Sequence, residues 1–302
     1  MQPKTISKNI QLKLNSWLTT IDDENLRKEV RENILVSGGS ITSMLLNEEV
    51  NDYDIYINDM DVLIRLCKYY CDPIQVKVLD WRKREQYKNE SFWDFDIDTV
   101  WEWHDSQEAI FLRNLKQDQV KLSTWSAGKE IIHPTPAGEN PTLPSYRVLF
   151  LSPNAISLSD DIQIVCRFHG NNEQIHKTFD FIHATNYFTF KEWLVTNKEA
   201  LESILCKQLK YQGSLYPLTS IIRMKKFIKR WWNISAGEML KSMFQISELN
   251  LSDPNVVEEQ LIWVDIAYFS ALIEILRGTK SDEISSSYLN KMIDKVFSDI
   301  SE

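Results

Sequence analysis

The chain has 302 residues, a length that suits about two domains, and its 43% apolar and 25% charged residues with only 8 Gly and 9 Pro exclude collagen-like and low-complexity chains. No apolar run reaches the roughly 18–20 residues that cross a bilayer. A net charge of −9, from 34 Lys and Arg against 43 Asp and Glu, excludes a globally basic nucleic-acid binder but not a local basic groove. The N-terminus lacks the apolar stretch of a secretory signal, so a cytoplasmic protein without a membrane partner is expected. Cys67, Cys71, Cys166 and Cys206 have no neighbouring ligands to complete a zinc set and read as reduced, buried thiols.

Apolar residues at spacings of three and four predict helix over 7–33, with a break at Thr19–Asp23. Ile34–Val36 follows as a short strand stopped by Ser37-Gly38-Gly39-Ser40. A helix over 41–47 comes next, then a strand over 52–57 with a period of two. Helix over 60–71 and strand over 74–79 follow. Residues 80–145 mix charged and aromatic residues and end in a Pro/Gly cluster, which reads as an insertion. Strands are expected at 148–151, 162–168 and 178–183, and helix from Lys191 to the end, strongest over 256–276. The expected fold is α+β: a mixed β-sheet domain with helices over 1–188, then an all-helical domain over 189–302.

The segment ILVSGGSITSMLLNEEVNDYDIYI (34–57) is the most specific in the chain. Gly38 and Gly39 permit close backbone approach and positive φ. The helix that begins there aims N–H groups and the positive end of its dipole at the turn, which suits a phosphate, and Ser40 adds a hydroxyl. Asp52 and Asp54 project from one strand face. Two carboxylates so placed call for a hard, oxygen-seeking cation such as Mg²⁺. A phosphate cradle beside such a dyad is equipment for phosphoryl transfer. The absence of a GxxxxGK[ST] loop and of a serine-hydrolase elbow excludes P-loop NTPases and serine hydrolases.

This segment resembles the nucleotidyltransferase superfamily of DNA polymerase β, poly(A) polymerases and CCA-adding enzymes, and Met44-Leu45-Leu46 is similar to the CCA-adding and poly(A) group. It departs from that group at Thr42-Ser43, where the group has Arg-Asp, and in lacking its downstream Arg-Arg-Asp-Phe-type motif. The chain is also similar to nucleotidyltransferase-like proteins carried by some bacteriophages. The resemblance implies a third carboxylate on a neighbouring strand. Asp180, between Phe179 and Phe181, is the preferred candidate, and Asp94, Asp96 and Asp98 are its rivals. His176 is expected on the strand face of Asp180.

Between Glu202 and Glu238 no acidic residue occurs, whereas Lys207, Lys210, Arg223, Lys225, Lys226, Lys229 and Arg230 do. The resemblance gives the helical domain the task of holding the triphosphate and stacking on the base, with Lys210, Ser214 and Tyr211 in those roles. Arg223, Lys226 and Arg230 fall on roughly one helical face, suited to the γ-phosphate or a phosphodiester backbone. The implied activity is template-independent transfer of NMP from an NTP to an acceptor hydroxyl. Asp52, Asp54 and Asp180 would hold two Mg²⁺ ions, Gly38, Gly39 and Ser40 the phosphates, and an RNA 3′ end such as that of tRNA would be the acceptor. The alternatives are nucleotidylation of a protein or small molecule, synthesis of a nucleotide second messenger, and a non-catalytic nucleotide- or RNA-binding module.

Overall fold

The computed structural model describes residues 1–74, 77–83, 119–123, 145–251 and 253–261, and isolated residues between 278 and 291. Most of the expected insertion, with Asp94, Asp96 and Asp98, and most of the expected 256–276 helix lie outside the described residues. The chain divides into two compact units, one drawn from 1–177 and 184–200, the other from 178–183 and 201 onward.

In the first unit, the helical pattern over 7–33 resolves into α1 (Pro3–Leu18) and α2 (Glu24–Asn33). The interruption is a cap: the Asp23 side chain accepts from the backbone N–H groups of Asn25 and Leu26. Ile6, Ile10, Leu14 and Trp17 form the buried stripe of α1, and Trp17 donates its indole N–H to Tyr70 Oη at 2.9 Å. Then come β1 (Ile34–Ser37), α3 (Gly39–Leu46), β2 (Tyr53–Ile57) and α4 (Met60–Cys71). Asp59 caps α4 in the way Asp23 caps α2. β3 (Lys77–Asp80) pairs with β4 (Val120–Ser123) in a separate ribbon. β5 (Val148–Ser152), β6 (Ala155–Leu158) and β7 (Ile162–His169) follow, then α5 (Asn172–His176), β8 (Tyr187–Thr189) and β9 (Trp193–Val195).

The main sheet has seven strands in the order β5-β6-β7-β2-β1-β8-β9. Every neighbouring pair is antiparallel except β2 and β7. α1, α2 and α4 contribute to its core together with Ile34, Val36, Ile55, Ile57, Ile164 and Cys166. Cys67, Cys71 and Cys166 are buried free thiols, as expected, and Cys206 is exposed. In β2, Ile55, Tyr56 and Ile57 are buried in succession. The alternation expected from sequence therefore gives way, because a strand flanked on both edges is also covered on both faces.

α6 (Lys198–Leu205) leads the chain into the second unit, which holds β10 (Gln208–Leu209), α7 (Pro217–Lys229), β11 (Asn233–Ile234), α8 (Ala236–Ser247) and α9 (Pro254–Leu261). β10 and β11 pair in parallel. Together with β9, they depart from the expectation of helix throughout after Lys191. The expected strand at 178–183 does not form either. That segment belongs to the second unit, bridged to residues 210–212 through Phe181 and Tyr211, with Ile182 N donating to Lys210 O and Gln212 N to Asp180 O. Its alternation has another cause. Phe181 and His183 enter an aromatic cluster with Tyr211, Phe227 and Trp232. Asp180, on the opposite parity and just before Phe181, turns to Ser214 and Arg223. The architecture is thus α+β, a mixed central sheet with helices and a largely helical C-terminal part.

Candidate functional site

The turn after β1 is built on glycine geometry at one position. Gly38 has φ 101° and ψ −148°, a combination other residues adopt only under strain. A Cβ added there would lie 3.0 Å from Asp54 Oδ2, so the carboxylate rests directly against the glycine. Gly39, in contrast, is the first residue of α3 and has no left-handed φ, and a Cβ on it would meet nothing within 4 Å. The expected need for positive φ therefore applies to Gly38 alone, while the space over Gly39 is open.

Ser40 is 4% exposed, and among the described residues its hydroxyl has no hydrogen-bond partner. It sits in the first turn of α3, where backbone N–H groups have no helical acceptor. An anion at this place would meet those amides, the dipole of α3 and the Ser40 hydroxyl. Asp54 lies on β2 and is half-buried, whereas Asp52 is exposed just before the strand. An open cleft of about 240 Å³ begins at Asp52 and runs along Ser157, Asp160, Asp161 and Gln163. Asp160 is held below the ordinary carboxylate range by the Tyr146 backbone N–H and then the Ser159 hydroxyl. Asp161 lies 3.3 Å from Lys13 Nζ.

The neighbours of the dyad in the sheet were not singled out from sequence. Gln163 of β7 is in register with Asp54 and on the same sheet face, and its amide donates to Ser157 Oγ at 3.2 Å. Gln163 was invisible in sequence because the β2–β7 pairing joins residues more than a hundred positions apart. Ser37, the last residue of β1, is fully buried and touches His176. His176 ends α5 rather than sharing a strand with Asp180, which corrects its expected placement. Burial lowers its pKa to about 4, so the ring is neutral near neutral pH.

The other expected site residues, Asp180, Lys210, Tyr211, Ser214, Arg223 and Lys226, belong to the second unit. Three of them meet. Asp180, 4% exposed, accepts from Ser214 Oγ at 2.7 Å and from the Arg223 guanidinium at 2.6 Å. That arrangement satisfies a buried carboxylate with a charged partner and a neutral donor. Tyr211 is buried against Phe181 and donates its hydroxyl to Gln245 Oε1 at 2.5 Å; burial pushes its pKa up to about 12. Lys210 lies 3.8 Å from Glu202, one of the two acids that bracket the basic stretch, and Lys226 is exposed on α7. Among the described residues no group of three or more His, Cys, Asp and Glu side chains is gathered so as to hold a metal.

The chain is similar to several known proteins. It is 20% identical over 253 residues to Gabija anti-defense 2 of Bacillus phage SPbetaL7, a match that covers 83% of this chain and 46% of that protein. The chain thus spans less than half the length of that relative. Among solved structures, it is similar to the Thermotoga maritima CCA-adding enzyme complexed with tRNA, at 12% identity and a TM-score of 0.38, covering 93% of this chain and 59% of that one. It is also similar to a tRNA-processing enzyme with CTP, at 14% identity and a TM-score of 0.36, covering 92% and 65%. The profile of the Gabija anti-defense 2 family matches residues 8–207, the greater part of the chain and nearly all of the first unit. By that match the chain belongs to the Gabija anti-defense 2 family.

Proposed function

We propose that this protein is a nucleotidyltransferase that moves NMP from an NTP to an acceptor hydroxyl. The observation that carries this is the contact at Gly38: a carboxylate, Asp54, seated against the glycine that opens a helix whose first turn holds a buried, unpartnered Ser40 hydroxyl. An anion site and a carboxylate dyad side by side fit a metal-bound triphosphate. Asp52 and Asp54 would hold Mg²⁺, which when bound offsets charge on the triphosphate and acidifies the acceptor hydroxyl. Gly39 leaves room for the phosphates, and Ser40 and the α3 amides receive them. Asp180, which accepts from Ser214 and Arg223 within the second unit, keeps its place in this reading as the third carboxylate.

An RNA 3′ end is the first acceptor to test, supported by the acid-free stretch 203–237 with its seven Lys and Arg. A second acceptor class has its own support. Asp160 and Asp161 rim the cleft at Asp52, a charge that repels a polyanion and suits a neutral or cationic hydroxyl acceptor, such as a protein side chain. From the name of the phage relative we take the biological setting to be counter-defence against Gabija. The test is incubation of the protein with each labelled NTP, Mg²⁺, host RNA and host protein, with Asp54→Asn as control. Label in neither fraction, and no pyrophosphate released, refutes the proposal.

A further inference from the structure

Ser37 stands directly before the Gly38 turn and has three partners. Its Oγ is 2.8 Å from Asn186 O, 3.1 Å from Ala184 O and 3.0 Å from His176 Nε2. A hydroxyl carries one proton, and carbonyl oxygens only accept. The Ser37 proton therefore goes to a carbonyl, and the contact with His176 is a hydrogen bond only if Nε2–H donates. The tautomer that this arrangement calls for carries its proton on Nε2. Gly38 N also donates to Ala184 O at 3.1 Å, and Ser37 is in register with Tyr187 on β8. The exit of β1 is thus fastened to residues 184–187 along its backbone and to α5 through one imidazole. The next residue is the glycine that sets the start of α3 and bears on Asp54.

We propose that His176 is a positioning residue for triphosphate binding: its Nε2–H holds Ser37, and Ser37 holds the Gly38–Ser40 turn in the conformation that receives phosphate. The inference rests on the nucleotidyl-transfer reading of that turn. His176 acts through Ser37, not on substrate. A neutral ring, kept so by burial, is the form in which one nitrogen donates while the other does not.

The test uses the full chain and calorimetric binding of Mg²⁺ with inorganic tripolyphosphate, which needs no base preference, and of Mg²⁺ with each of the four NTPs. His176→Leu and Ser37→Ala should each weaken binding about five- to tenfold, the size of one lost hydrogen bond. His176→Gln, which returns an N–H near the Nε2 position, should stay within about twofold of wild type. The double variant Ser37→Ala/His176→Leu should bind no worse than the weaker single variant, because the two act as one unit. Steady-state kinetics should show the loss in KM for NTP with kcat little changed. Nitrogen-15 spectra of the wild type should report the Nε2–H tautomer, a result that stands even if His176→Leu fails to fold. An Nδ1–H tautomer, or additive losses in the double variant, or wild-type affinity in a folded His176→Leu, overturns the inference while leaving the nucleotide reading intact. Wild-type protein that binds no triphosphate at all overturns both.

Discussion

The two glycines of the turn should respond oppositely to the same added methyl group. At Gly38, alanine must adopt φ 101° and ψ −148°, a region that is essentially glycine-only and costs about 1–3 kcal/mol. Its Cβ also arrives 3.0 Å from Asp54 Oδ2, so the carboxylate must move by a few tenths of an ångström. Together these destabilise the fold by about 2–3 kcal/mol, a fall in Tm of roughly 4–10 °C for a protein of this size. At Gly39 the methyl meets nothing within 4 Å and the backbone is already helical. Gly39→Ala should therefore be neutral or more stable by about 0.4–1 kcal/mol, through the smaller entropy of its unfolded chain. Its effect should appear instead in NTP binding, because the new methyl occupies the space left for phosphates, and a loss of about tenfold is expected. Urea denaturation and NTP calorimetry on the two variants separate these outcomes. A Gly38→Ala protein of wild-type stability would refute the strain reasoning. A folded Gly39→Ala protein with unchanged NTP affinity would remove the phosphate cradle.

Asp52→Asn and Asp54→Asn should each abolish Mg²⁺-dependent pyrophosphate release with Tm little changed; turnover near the wild-type rate in either assigns the chemistry elsewhere. Arg223→Met should destabilise the protein by about 3–5 kcal/mol, since it strands the buried Asp180 carboxylate, and adding Asp180→Asn should recover much of that loss. If Asp180→Asn alone folds but releases no pyrophosphate, Asp180 serves the metal rather than the ion pair. His183, buried among Phe181, Phe227 and Trp232, has its pKa lowered to about 3 by burial and, less, by Arg230. The unfolded chain therefore takes up that proton first: the stability is whole above about pH 6.5 and falls as pH drops, by about 2 kcal/mol at pH 5. His183→Leu should flatten this part of the urea midpoint against pH, and an unchanged slope refutes the assignment. Lys226→Glu with Arg230→Glu should weaken RNA binding and reduce its salt dependence; an unaltered salt slope moves the protein or small-molecule acceptor ahead.

The local elements and the core of the candidate site were legible because they are local. A strand, Gly-Gly, a helix and a strand bearing two aspartates occupy only 34–57, and the register of β1 with β2 brings Gly38 against Asp54 within that one stretch. α4 begins at Met60 and ends at Cys71, the bounds its spacing predicts, because Asp59 caps its start. What depended on distant pairing was not legible. The 178–183 run alternates as a strand does, yet its parity was set by an aromatic cluster and by Arg223, more than forty residues on in sequence. β8 is only three residues long, too short to announce itself, and becomes a strand by pairing with β1. Gln163 read as an ordinary polar residue until β7 aligned beside β2, and His176, expected beside Asp180, met Ser37 instead once α5 was folded back on it. Hydrophobic period and capping are fixed by side chains a few residues apart, and so are written in the sequence; a hydrogen-bond partner is fixed by which strand lies alongside, and only the packed sheet decides that.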